Sequence, residues 1–147
     1  MRISGTQQYC TFALAGLTFG IEVARVQEVI RSQPMTSVPL AHEVVRGLIN
    51  LRGQIVTALD LRHRLGFEPR PAGDDPMNII VRTASGELSL LVDEIGDVVE
   101  VDGSTLEPPP ATVDGAAREL IVGVYKLDGS LLLVLDTDEA VKLPAAL

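Results

Sequence analysis

Apolar residues recur in short runs along this chain, and most runs alternate with polar ones. Tyr9–Leu14 alternates as Y-C-T-F-A-L. A turn at Ala15-Gly16-Leu17 follows, and then Phe19, Ile21 and Val23 share one face of a second run. Two such runs around a glycine-containing turn predict a β-hairpin. Val23, Val26 and Ile30 then fall at helical spacing, which predicts one or two turns of helix before Pro34. His42–Arg46 is expected to form a single helical turn closed by Gly47. Leu48–Leu51 and Gln54–Leu59 flank Arg52-Gly53 as a second hairpin, and Asp60 is placed to cap a short helix through Leu65. After a Pro- and Gly-rich loop over 66–76, Asn78–Thr83 and Glu87–Val92 flank Ser85-Gly86 as a third hairpin. Asp97–Val101 continues extended. A second long loop runs from Glu107 through three prolines to Arg118. Leu120–Leu127 and Ser130–Leu135 flank Asp128-Gly129, the strongest local hairpin signal in the chain, and Asp136–Leu143 predicts a short terminal helix before Pro144.

A repeat underlies this order. Gly47-LINLR-Gly53-QIVTAL-Asp60 matches Gly123-VYKLD-Gly129-SLLLVL-Asp136 at an offset of 76. Upstream, Phe19-GIEVARV-Gln27 resembles Leu88-SLLVDEI-Gly96 at an offset of 69. Loops of different length account for the change of offset. The chain therefore reads as two similar β units, roughly 1–70 and 71–147. Each is expected to have about five short strands, enough for a small closed or half-closed barrel. So many strands with so little helix exclude a doubly wound α/β sheet.

Composition narrows the function. Five aromatic residues and no Trp in 147 residues leave a core of Val, Leu and Ile, and no stacking platform for bases. The net charge of −8 disfavours nucleic-acid binding. The charge is uneven: 1–70 carries a balance of +3 and 71–147 a balance of −11. Cys10 stands alone, so a disulfide framework or CxxC pair within the chain is excluded. The start MRISGTQQYC has no apolar signal core, and no stretch of 18 apolar residues occurs, which sets a cytoplasmic protein as the expectation.

Catalytic and metal chemistry find little support. His42 and His63 are 21 residues apart and lack the i, i+4 partner of a helical zinc site. Cys10 sits within a predicted strand and reads as a buried, inert thiol. Asp93, Glu94, Asp97, Glu100 and Asp102 read first as a solvated acidic face and second as a partner-facing patch. Arg52 is the best functional candidate. It stands where the other copy of the repeat has the turn-forming Asp128, and a residue that breaks a local rule often marks a site. An ordinary solvated arginine in another turn type is the alternative. Val26 is the second candidate, with plain core packing as its alternative.

FGIEVARVQEVIR (19–31), MTSVPLA (35–41) and VVRGLINLRGQIVTALDLRHRLG (44–66) resemble the CheW family of chemotaxis adaptors. LLVDEIGDVVEV (90–101), the triple proline and IVGVYKLDGSLLLVLD (121–136) fit the same family. The resemblance spans about residues 8–143. It implies an all-β fold: two five-stranded SH3-like barrel subdomains around a shared hydrophobic core, with short helices. The whole chain, 1–147, then forms a single CheW-like domain with approximate subdomains 1–70 and 71–147. It further implies a non-enzymatic adaptor without cofactor or metal. Such an adaptor binds the cytoplasmic tip of methyl-accepting chemoreceptors and the regulatory domain of the histidine kinase CheA. It works in the cytoplasm at receptor arrays, with no nucleic-acid partner and no insertion into the membrane. A regulatory decoy that holds kinase or receptor sites without activating them is the alternative. Carried over by motif, Val26, Gly47 and Arg52 are expected at or near the receptor groove, with Val98 as a weaker addition. Two departures stand out: His42 where many relatives have Pro, and Ser89 where Gly is common.

Overall fold

The computed structural model describes residues 5–39, 41–84, 86–113 and 115–142. Ser85 of the expected third turn, and Leu143 and Pro144 of the expected terminal helix and its stop, lie outside the described residues. Ten strands carry the fold. They are β1 (Thr6–Leu14), β2 (Leu17–Glu22), β3 (Val26–Ile30), β4 (Val45–Leu51), β5 (Gln54–Asp60), β6 (Met77–Thr83), β7 (Gly86–Val92), β8 (Glu94–Asp102), β9 (Ile121–Leu127) and β10 (Ser130–Leu135). Three short helices join them: α1 (Leu61–Arg64), α2 (Gly115–Glu119) and α3 (Thr137–Ala140). Single 3₁₀ turns lie at Val23–Arg25 and Gly103–Thr105.

The strands form two five-stranded sheets, ordered β8-β1-β2-β10-β9 and β3-β6-β7-β5-β4. The second order is the first rewritten through the repeat, with β3 in the place of β8, β6 of β1, β7 of β2, β5 of β10 and β4 of β9. The register agrees residue for residue: Ala58 faces Ser89 in one parallel pair as Val134 faces Gly20 in the other. The hairpins Gly47–Asp60 and Gly123–Asp136 thus hold equivalent places in separate sheets. The expectation that each half of the chain builds its own unit is corrected. The hairpin β1–β2 of the first half joins β8, β9 and β10 of the second, and β6–β7 joins β3, β4 and β5. Local pattern sets hairpins, but it says nothing about which hairpins meet.

Each sheet curls until the chain leaving one edge reaches the other. Thr36, beyond β3, bridges Leu48 of β4, and Glu107, beyond β8, bridges Val124 of β9. A glycine underlies each closure. A Cβ on Gly47 would sit 2.8 Å from the Thr36 carbonyl oxygen, and one on Gly123 would sit 2.7 Å from that of Glu107. The closing backbone can approach only where no side chain stands.

Alternating side chains fill three apolar layers. Between the sheets, Phe12, Phe19, Ile21, Leu59, Ile79, Leu90 and Leu133 are part of one shared core. Inside the first sheet Tyr9, Tyr125, Leu132 and Val134 pack together, and inside the second Ile49, Val56 and Ile80 do so. The first interior holds a polar contact, Tyr9 Oη to Tyr125 Oη at 3.5 Å. The second interior has a hydrogen-bonded chain instead. The hydroxyl of fully buried Ser89 donates to Asn78 Oδ1 at 2.7 Å, and Asn78 Nδ2 donates to the Arg31 carbonyl at 3.1 Å. Ser89 is therefore a built-in partner for a buried amide.

Three local expectations change. Val26–Ile30 is a strand paired with β6, not a helix, and only Val23–Arg25 winds. Over His42–Arg46 there is no helical turn: a plain turn at Glu43-Val44, in which His42 Nδ1 accepts the Val44 N–H at 3.1 Å, leads straight into β4 at Val45. The stretch expected as loop from Glu107 to Arg118 runs into α2 from Gly115, whose Ala117 docks on the shared core.

Candidate functional site

Arg52 and Gly53 form the two-residue turn between β4 and β5, with φ of 53° and 84°. Successive left-handed residues suit the twist of a hairpin, but Arg enters that region at a cost. Asn50 Oδ1 steadies the turn by accepting the Gly53 N–H at 2.9 Å. Among the described residues only Ala15 and Arg52 adopt positive φ without being glycine. Asp128 does not, so Asp128-Gly129 makes a different turn, and the two copies do not share one turn geometry. The unfavourable conformation at Arg52 aims its side chain. Nη1 donates to Glu28 Oε2 on β3 at 3.3 Å, and Nη2 donates to Oε1. This two-pronged pair spans the first and last strands of its sheet and remains largely open to solvent, with Arg52 69% exposed. The hydrogen bond from Arg52 holds the Glu28 carboxyl below its ordinary range, and the same bond raises the guanidinium.

The other candidates lie at different depths. Val26 opens β3 opposite Val81, half-buried against the shared core and two residues from Glu28. Gly47 is buried beneath the Thr36 closure, on the strand that ends at Arg52. Val26, Gly47 and Arg52 therefore belong to the joined edges of one sheet. Val98 is on the other sheet, 56% exposed, in β8 opposite Cys10. Its counterpart through the repeat is Val29 of β3, which is also exposed.

Sequence reasoning missed Glu28. It stands opposite Ile80 just after a register shift that separates it from Val26, and the sequence pattern carries no signal of that shift. Sequence reasoning also misassigned Asp93 to a solvated acidic face. Its side chain is 19% exposed and collects four donors. Arg62 Nε and Nη2 donate at 2.8 and 2.6 Å, Arg70 Nε at 3.0 Å, and the Ala15 N–H at 2.9 Å. Burial pushes this carboxyl up, but the bonds from Arg62, Ala15 and Arg70 outweigh it and bring it down to about 2.

The remaining reactive side chains are quiet. Cys10 is half-buried, which raises its thiol. His63 Nε2 sits 3.4 Å from an exposed Glu43 carboxylate. Among the described residues no group of three or more His, Cys, Asp or Glu is arranged to hold a metal ion, and no helix is long and apolar enough to cross a membrane.

Comparison with known proteins agrees with this architecture. The family model described as CheW-like domain matches residues 8–144. The chemotaxis protein CheW of Treponema pallidum is 31% identical over 135 residues, covering 88% of this chain and 78% of the relative. That of Bacillus subtilis is 30% identical over 132 residues, covering 90% and 85%. The crystal structure of the scaffolding protein TtCheW from Thermoanaerobacter tengcongensis superposes with a TM-score of 0.84 at 28% identity, covering 97% of this chain and 98% of that one. The duplicated pair of sheets, the glycine-backed closures and these matches together place the chain in the CheW-like family.

Proposed function

We propose that this chain is a non-enzymatic adaptor of chemosensory signalling, linking chemoreceptor cytoplasmic tips to the histidine kinase CheA. The observation that carries this reading is the family match over residues 8–144, together with relatives named as chemotaxis and scaffolding proteins. The structure supports it with two equivalent sheets that present separate surfaces on one shared core. Arg52, held by Glu28 at the joined edge of one sheet, is a charged fork suited to carboxylates and carbonyls of a helical receptor tip. Val26 and Val98 supply apolar contact. Gly47, buried under Thr36, acts through the shape of the edge. The CheA regulatory domain takes a second surface, so both partners are held at once. The adaptor works in the cytoplasm at membrane-associated receptor arrays, and needs no cofactor, metal or nucleic acid. The decoy reading is not favoured, because the relatives are named for chemotaxis and scaffolding.

Binding of a receptor cytoplasmic fragment and of the kinase regulatory domain, measured separately and together, tests this. An adaptor binds each and forms a three-component complex. Binding of only one partner supports the decoy, and binding of neither overturns both.

A further inference from the structure

The chain passes between its sheets at two places. One is the Val23–Arg25 turn between β2 and β3, and the other is Asp93 between β7 and β8. Both crossings are gripped by an ion pair, and the crossing residue is an acid at one and a base at the other, one position apart when the offset of 69 is applied. Position 62 on α1 corresponds to position 138 on α3. Arg62 reaches Asp93 at one crossing, and Asp138 reaches Arg25 at the other, with Arg25 Nη1 donating to Asp138 Oδ2 at 3.2 Å.

Each crossing residue also bonds to both sheets. Asp93 takes Arg62 and Arg70 from the side of β5 and β6, and the Ala15 N–H from the turn between β1 and β2. Arg25 donates to Asp138 after β10, and through Nε to the Arg82 carbonyl of β6 at 3.2 Å. A third tie joins the equivalent helices: Arg64 of α1 donates to the Ala140 and Glu139 carbonyls of α3, each at 3.0 Å.

Between the sheets lies an apolar core, and apolar contact is non-directional. Paired, charge-assisted bonds are directional and fix one arrangement. The opposite signs of Asp93 and Arg25 add selectivity. If α1 sat at the crossing meant for α3, Arg62 would face Arg25, and in the converse error Asp138 would face Asp93. Like charges there disfavour the mistake.

We infer that Asp93 and Arg25 are positioning residues. They fix the angle between the two sheets, and the coupling of two bound partners depends on that angle. This rests on the adaptor reading above.

The test compares the wild-type chain with Asp93→Asn and with the conservative Asp93→Glu, which keeps a charged acceptor for Arg62 and Arg70. Ile80→Val, which weakens the apolar interior of the second sheet and leaves both ion pairs in place, serves as the stability control. Spin labels on cysteines at Glu87 and Glu100, in a Cys10→Ala background, report the distance between sheets. Asp93→Asn should broaden that distance distribution about twofold. It should leave each separate binding affinity within about threefold and reduce the kinase response in the three-component assembly roughly tenfold. Asp93→Glu should recover part of both losses, and the control should show neither. A distribution as narrow as wild type, or a loss of response no greater than in the control, overturns the inference. A wild-type chain that binds only one partner overturns the adaptor reading instead, and the distance measurement then still decides whether Asp93 holds the sheets.

Discussion

The guanidinium of Arg52 closes on the carboxylate of Glu28 from the opposite edge of the same sheet. Turn and strand are 24 residues apart, yet the pair joins β3 to the β4–β5 hairpin just where the sheet has no continuous ladder. Exposed ion pairs contribute little to stability, so the pair is better understood as orienting Arg52 than as holding the fold.

Arg52→Ala should therefore weaken binding of a receptor cytoplasmic fragment about tenfold while kinase-domain binding persists and the melting temperature moves little. Arg52→Asn should bind as poorly yet melt no lower than wild type, since Asn tolerates the left-handed turn. Calorimetric titration beside thermal melts distinguishes the roles. Large thermal loss with intact receptor affinity would make Arg52 a structural residue.

Gly47→Ala and Gly123→Ala should destabilise by similar amounts, about 1–3 kcal/mol each, because each Cβ would press on the carbonyl that closes its sheet. Urea unfolding measures this. A neutral effect at either position would mean that the closing bridge is dispensable.

Asp93 sets an acid limit. Its carboxyl lies at about 2 in the folded chain against an ordinary 3.8. A lowered folded value contributes stability that is complete above the unfolded value and is lost as pH falls toward the folded one. Unfolding free energy should thus fall by roughly 2 kcal/mol from this group as pH drops from about 4 to about 2. In Asp93→Asn that component of the slope should vanish. An unchanged acid profile in the variant would show that the Arg62 and Arg70 bonds do not persist in solution.

Fragments 1–70 and 71–147 should each be largely unstructured alone, because each holds only part of both sheets. Mixed in equal amounts they should regain β circular dichroism. Independent folding of either fragment would contradict the exchanged hairpins.

Much of this architecture was legible locally. Glycine turns, alternation and the doubled Gly-x5-Gly-x6-Asp spacing marked the hairpins, and the copies do occupy equivalent places. Strand β3 was misread because a register shift between Val26 and Glu28 breaks its period of two, so that Val26 packs on the shared core and Ile30 on the interior of its own sheet. Arg52, the partner of Glu28, is distant in sequence. Asp93 was misread for a related reason. Its donors come from α1, from the loop after it and from the β1–β2 turn, and no local window contains all three. The exchange of hairpins was hidden because strand pairing over long separations leaves no periodic trace. At Arg52 the departure from Asp-Gly does coincide with a left-handed backbone, φ 53°.

The exchanged hairpins also impose a schedule on synthesis. The β1–β2 hairpin leaves the ribosome early, carrying Phe12, Leu14, Phe19 and Ile21, all almost wholly buried at the end. Its sheet partners β8, β9 and β10 are completed only at Leu135. At ordinary elongation rates that wait lasts roughly 5–25 s, far longer than a hairpin needs to form. During it the edges of the hairpin have no native strand to pair with, and its apolar face is covered only once the second sheet is complete at Val92. Newly made chains of this protein should therefore be clients of ribosome-associated holding chaperones, and slowing translation past residue 60 should raise aggregation, whatever the stability of the finished fold.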